Sequence, residues 1–128
     1  ISDKLLFKSG SFNITDKAKV VLGKVAKVLA AQPAIEFMVE GHTDSKQLIS
    51  GGSLMEDNWD LSVKRATTIV RVLQDTYGID PKRMTAAGRS EYIPVVENNT
   101  SENRAANRRT RIVILPQLDQ FFQLLEKK

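Results

Sequence analysis

Apolar positions along the chain switch between a strand rhythm and a helix rhythm. Residues 4–8, LLFK with its preceding lysine, form a short apolar run that reads as a first strand. Asn13 or Thr15 then opens a helix whose set Val21, Leu22, Val25, Val28 and Leu29 keeps helical spacing, and Pro33 lies just past its end. Over residues 35–41, Ile35, Phe37 and Val39 alternate with Glu36, Met38 and Glu40, as in a half-buried strand. A loop follows over 45–57, with Ser50, Gly51, Gly52 and Ser53 at its middle; its length is unusual inside a compact domain. Asn58 or Asp60 suits the N-cap of a second helix with Leu61, Ala66, Ile69, Val70, Leu73 and Tyr77 on one face, and Gly78 ends it. Residues 83–87 read as a third strand closed by Gly88. A turn begins at Tyr92-Ile93-Pro94, and Ser101 caps a brief helix to Ala106. Residues 108–115 are a β-branched last strand broken by Pro116. The tail 117–128 is an amphipathic helix with Leu118, Phe121, Phe122 and Leu125 on one side. The order βαβαβ(α)β predicts an α+β fold, an α/β sandwich with helices packed on a mixed four-stranded sheet.

Length and composition narrow the classes. A chain of 128 residues suits one domain, 1–128, with one core. No apolar run reaches the roughly 18 residues of a membrane span. With no cysteine, disulfides, thiolate metal sites and cysteine nucleophiles are excluded. The net charge of +4 is modest, but Arg104, Arg108, Arg109 and Arg111 crowd together. Clustered arginines can track phosphates. This cluster lacks interleaved aromatics and any reader motif, so no nucleic-acid partner is expected.

The chemistry-bearing segment is 41–66, GHTDSKQLISGGSLMEDNWDLSVKRA. It sets Asp44 just past a strand end and Arg65 in the first turns of a helix. A guanidinium fork suits a carboxylate, and an isolated carboxylate suits an ammonium. Together they would clamp a zwitterion, a carbon carrying both charges. Taken singly, Asp44 is also an ordinary turn aspartate, and Arg65 a helix-surface arginine or a partner for Asp60 or Glu56. His42, the sole histidine, has no neighbouring set of metal ligands, and no metal or cofactor is expected.

GHTD, then NWDLSVKRA, then AAGRSEYIPVVENNTSENRAANRRTRIVIL, resemble the OmpA-like C-terminal peptidoglycan-binding domain. The NWDLSVKRA wording and the long insert after GHTD are most similar to the version in MotB-type flagellar stator proteins. The resemblance covers about residues 4–115. It implies that Asp44 takes the ammonium and Arg65 the carboxylate of diaminopimelate in a peptidoglycan stem peptide. Thr43 and Asn58 match positions lining the same pocket, although turn bonding and helix capping account for them equally well. Leu61 begins the same helix, where backbone N–H groups of Leu61 and Ser62 can face a carboxylate. Of Arg108 and Arg109 in the NRR motif, one is expected to face the pocket, since neighbours on a strand alternate sides, and Arg108 is the one favoured. Trp59 reads as a lid residue over the second helix rather than a sugar platform.

The implied function is non-catalytic: binding peptidoglycan to anchor a membrane protein to the cell wall. The chain would then be a periplasmic piece excised from the C-terminal part of a longer bacterial envelope protein, meeting the membrane only through a missing N-terminal part. The alternative is a dimerising scaffold domain of a MotB-like stator or related envelope complex, a homodimer. An enzyme acting on the same polymer would need an activated nucleophile, a carboxylate pair or a metal; Asp44 with Glu40 or Glu56 is the best pair available. Three departures from the family pattern bear on affinity: Lys8 where many relatives carry an aspartate, the glycine-rich insert, and Arg89-Ser90 in place of an aromatic and a glycine.

Overall fold

A computed structural model describes residues 1–47, 55–116 and 124–126. Its elements are α1 (Asp3–Leu6), α2 (Asp16–Ala30), β1 (Phe37–His42), α3 (Asn58–Asp75), β2 (Met84–Gly88), α4 (Ser101–Asn107) and β3 (Arg109–Ile114). A short 3-10 turn, Pro81–Arg83, leads into β2. The mixed α+β class holds, but among the described residues the sheet has three strands, not four, in the order β2-β1-β3. β1 is central, parallel to β2 and antiparallel to β3.

The missing strand is the one expected over residues 4–8. Asp3–Leu6 is instead a single helical turn, and only the isolated bridges Ser2↔Arg109 and Phe7↔Ile14 keep strand character around it. The reason is visible in its contacts. The Asp3 carboxylate is drawn to two arginines and its N–H donates to the Arg108 carbonyl at 3.1 Å, so pairing with the last strand is confined to Ile1–Asp3 and stops where the helical turn begins. Leu6 and Phe7 still reach the core.

α2 and α3 cover one face of the sheet. Thr15 caps α2 by accepting from the Ala18 N–H at 3.2 Å. The buried row of α2 is Ala18, Leu22, Ala26 and Leu29, whereas Val28, expected on that face, is 70% exposed. In α3 the cap is Asp57 rather than Asn58 or Asp60, its carboxylate accepting from the Asp60 N–H at 3.0 Å. That frees Asn58 for another task. Thr100, not Ser101, caps α4. Leu61, Ala66, Ile69 and Leu73 of α3 are buried as expected, the last three in one core with Phe37 and Val39 of β1.

The other face of β1 is polar. Glu40 and His42 are buried there and bonded to one another, Nε2 to Oε1 at 2.5 Å, with Arg89 and Arg111 also facing Glu40. Burial lowers the His42 pKa from its ordinary value, and Arg109 and Arg111 act the same way, against the opposing pull of Glu40. Burial works against the Glu40 carboxylate, but the hydrogen bonds from His42 and Arg89 outweigh it and hold its pKa below the usual value. The folded protein therefore binds a proton at His42 less readily than the unfolded chain does. Stability is expected to decline as pH falls below the ordinary imidazole value of 6.5 and on through the lower folded value. Proton NMR of the only imidazole checks this directly: its midpoint should lie below 6.5, and one at or above 6.5 would contradict the assignment.

The tail expected as an amphipathic helix over 117–128, on which a dimer contact would rest, lies outside the described residues save for 124–126. The insert over 48–54 lies outside them too.

Candidate functional site

β1 ends at His42, and the chain turns at once over the N-terminal end of α3. Gly41 is what allows the closeness: a Cβ there would stand 2.3 Å from the Ser62 carbonyl oxygen. Gly88 on β2 is under the same constraint, with the Ser62 hydroxyl 2.4 Å from where its Cβ would be. The Asn58 amide, relieved of capping, donates to the carbonyls of Asp44 at 3.3 Å and Lys46 at 2.8 Å, tying the loop to the helix. Thr43 is fixed from the other side, its N–H donating to the Ser90 carbonyl at 2.9 Å and its hydroxyl to the Asp44 carbonyl at 2.9 Å.

The result is a cavity of about 480 Å³. Thr43, Asp44, Asn58, Leu61, Arg65 and Arg108, the six residues singled out from the sequence, all line it. Arg65 is the deepest cation, 3% exposed. Its Nε donates to the Ser11 carbonyl at 2.8 Å, its guanidinium lies 4.9 Å from the centroid of the Phe7 ring, and one terminal nitrogen pairs with Asp3. Arg108 is the accessible one. Its Nη1 meets an Asp44 carboxylate oxygen at 2.5 Å, and its Nε lies 3.5 Å from Asp3. The second Asp44 oxygen accepts from the Lys46 N–H at 2.9 Å, so Asp44 also shapes its turn. Leu61 contributes its side chain only, because its N–H is committed to the Asp57 carbonyl. The helix-end donor expected there is not free.

Asp3, Ser9, Gly10, Lys46 and Gln47 also line the cavity and were missed by sequence reasoning, Asp3 being the one that pairs with the arginines. Asp3 is 6% exposed and faces both arginines. Burial raises its pKa above the usual carboxylate value, even though Arg65 and Arg108 oppose the shift. Burial likewise lowers the pKa of Arg65, against the pull of Asp3. Asp3 alone thus adds stability as pH falls, the opposite sign to His42. No local motif marks it: it lies 62 positions from Arg65 and ahead of the segment that carries the family wording. Lys8, by contrast, is exposed and does not line the cavity; Ser9 and Gly10 do.

Chemically the cavity offers two carboxylates facing two guanidiniums, with the pairs crossed through Arg108. Each buried charge already has a partner. A guest that parts Asp44 from Arg108 leaves no buried charge unpaired if it brings one positive and one negative group of its own.

The OmpA family model matches residues 6–108. The chain belongs to the OmpA family. It is 34% identical over 116 residues to Motility protein B of Bacillus subtilis, covering 91% of this chain and 44% of that protein, so it spans less than half of the relative's length. The fold matches a crystal structure of a putative MotB like protein from Desulfovibrio vulgaris with a TM-score of 0.83 at 30% identity, over 91% of this chain and 73% of that one. It also matches the cell wall anchor of the T6SS from Pseudomonas aeruginosa, with a TM-score of 0.80 at 33% identity, over 91% of this chain and 79% of that one.

Proposed function

We propose that this OmpA-family domain is a non-catalytic wall-binding module that grips the zwitterionic carbon of diaminopimelate in the peptidoglycan stem peptide. One observation carries the reading: Asp44, Arg65 and Arg108 converge on a single cavity from three separate elements. The ligand ammonium takes Asp44, displacing Arg108 from it. The ligand carboxylate then takes the freed Arg108 fork and the cavity-lining edge of Arg65. Thr43 and Asn58 hold the loop that carries Asp44, and the Leu61 side chain supplies an apolar wall. Asp3 keeps Arg65 and Arg108 aimed at the cavity. In the parent protein, held in the bacterial envelope by a segment outside this chain, such a grip anchors a membrane protein to the wall from the periplasmic side. The likeness to a cell wall anchor and to motility protein B supports that placement.

Asp44→Asn tests it with little change of shape. The substitution removes the charge facing the ammonium and leaves Arg108 part-exposed, so the fold is retained. Losing one charge-assisted hydrogen bond of about 1.5–3 kcal/mol lowers affinity about ten- to hundredfold. Co-sedimentation with insoluble peptidoglycan should fall accordingly, and undiminished co-sedimentation would overturn the reading.

A further inference from the structure

A second cleft of about 250 Å³ adjoins the first, and the two share Gln47 and Asn58 in their walls. Its outer wall is aromatic. Trp59 and Tyr92 stand with ring centroids 5.4 Å apart and planes tilted by 39°, yet they remain 48% and 62% exposed. Two rings packed over a hydrophobic core would hide more of their faces than this; here much of both is left to solvent beside a cleft. The arrangement is built rather than incidental. Ser90, buried at the base, adopts a left-handed backbone (φ 51°) that turns Glu91 and Tyr92 across the start of α3, and its N–H donates to the Ser62 hydroxyl at 3.1 Å. Such a backbone is unfavourable for a residue with a side chain, which is why a glycine is usual at this turn.

The charged groups of the cleft are all carboxylates, which accept. The Asp57 carboxylate is committed to the N-terminus of α3, but the side chains of Glu56 and Glu91 have no hydrogen-bond or ion-pair partner among the described residues. Among the described residues, no lysine or arginine lines the cleft.

We propose that this cleft is a saccharide subsite, taking an uncharged pyranose of the polymer whose stem peptide enters the neighbouring cavity. The inference rests on the proposed function for its choice of polymer. The apolar face of a sugar ring lies against Trp59 and Tyr92, while hydroxyl and N-acetyl amide hydrogens are donated to Glu56 and Glu91. Charge selects among the parts of the polymer. The free groups left on the stem peptide are carboxylates, which an acid-lined cleft repels, whereas an N-acetylated sugar ring carries no charge. An ammonium would suit rings and acids as well, but the one free ammonium of the bound zwitterion is engaged by Asp44.

Trp59 is the only tryptophan of the chain, so its emission reports on this cleft alone. Titration with a disaccharide muropeptide should shift Trp59 emission and bind about five- to tenfold more tightly than the same stem peptide without sugar, the size expected of an added aromatic contact. Tyr92→Ala, at an exposed position, should remove that increment and leave stem-peptide affinity unchanged. Equal affinities with no emission change would overturn the inference while the proposed function stands. If the stem peptide fails to bind but the disaccharide alone shifts the emission, the proposed function falls and the subsite stands. A shift from the diamine cadaverine and none from the disaccharide would overturn it in favour of a cation site.

Discussion

Arg65→Ala is expected to lower stability by about 3–5 kcal/mol and to abolish wall binding at the same time, because it strips a buried carboxylate of its partner. Arg65 is one of the most enclosed charges in the molecule, and it faces Asp3, itself 6% exposed. Without the guanidinium, Asp3 retains only Arg108 at 3.5 Å. Lost binding in this variant alone is therefore ambiguous. The double variant Asp3→Asn/Arg65→Ala separates the two effects, since it removes the orphaned charge together with its partner. Urea unfolding should show the double variant recovering at least about half of the loss, a coupling typical of residues in direct contact. Peptidoglycan binding should remain absent. A double variant no more stable than Arg65→Ala would show that Asp3 and Arg65 are not coupled. An Arg65→Ala protein as stable as the parent would contradict the buried pair outright.

Gly41→Ala is the second large effect, and it acts on the fold rather than on the ligand. The added methyl would lie 2.3 Å from the Ser62 carbonyl oxygen and 3.1 Å from its carbon, both backbone atoms of α3. No rotamer change relieves a clash with backbone, so the helix must lift from the sheet. Overpacking of this kind costs about 1–3 kcal/mol and occasionally more. With α3 meeting both β1 and β2 here, the upper end or beyond is expected. Lifting α3 also carries Arg65 away from Asp44. The urea midpoint should fall sharply, and surviving folded protein should bind peptidoglycan poorly. Gly10→Ala is the contrast: no atom lies within 4 Å of an added Cβ, so only the cost of its positive φ (65°) is expected. Equal stability of Gly41→Ala and the parent would contradict the close helix–sheet approach.

The parts of the fold legible in the sequence were those with a sustained period. The face of α3 follows from side chains that must all point one way, and Gly78 at φ 69° ends α3 as read; in α2 only Leu22 and Leu29 of the expected row are fully buried, and β1, expected half-buried, also buries Glu40 and His42 because it is the central strand. The convergence of Asp44, Asn58, Arg65 and Arg108 was foreseeable only through the motif wording, because they come from three elements that periodicity cannot dock. What escaped the reading depended on single contacts. LLF after a lysine looks the same as a strand or as a helical turn, and the choice was made by Asp3 meeting Arg65 and Arg108 from far along the chain. The capping of α3 by Asp57 rather than Asn58 is a one-residue choice among three adjacent polar side chains, yet it decides that Asn58 holds the loop.

Calorimetric titration of the domain with a diaminopimelate-containing stem peptide, beside its lysine-containing counterpart, tests the zwitterion grip most directly. The lysine peptide offers the ammonium without the neighbouring carboxylate, so it leaves the Arg108 fork facing nothing. Saturable binding of the diaminopimelate peptide, with the lysine peptide at least about tenfold weaker, is the result expected from losing one charge-assisted pairing. Equal binding of the two peptides, or no binding of either, would contradict it.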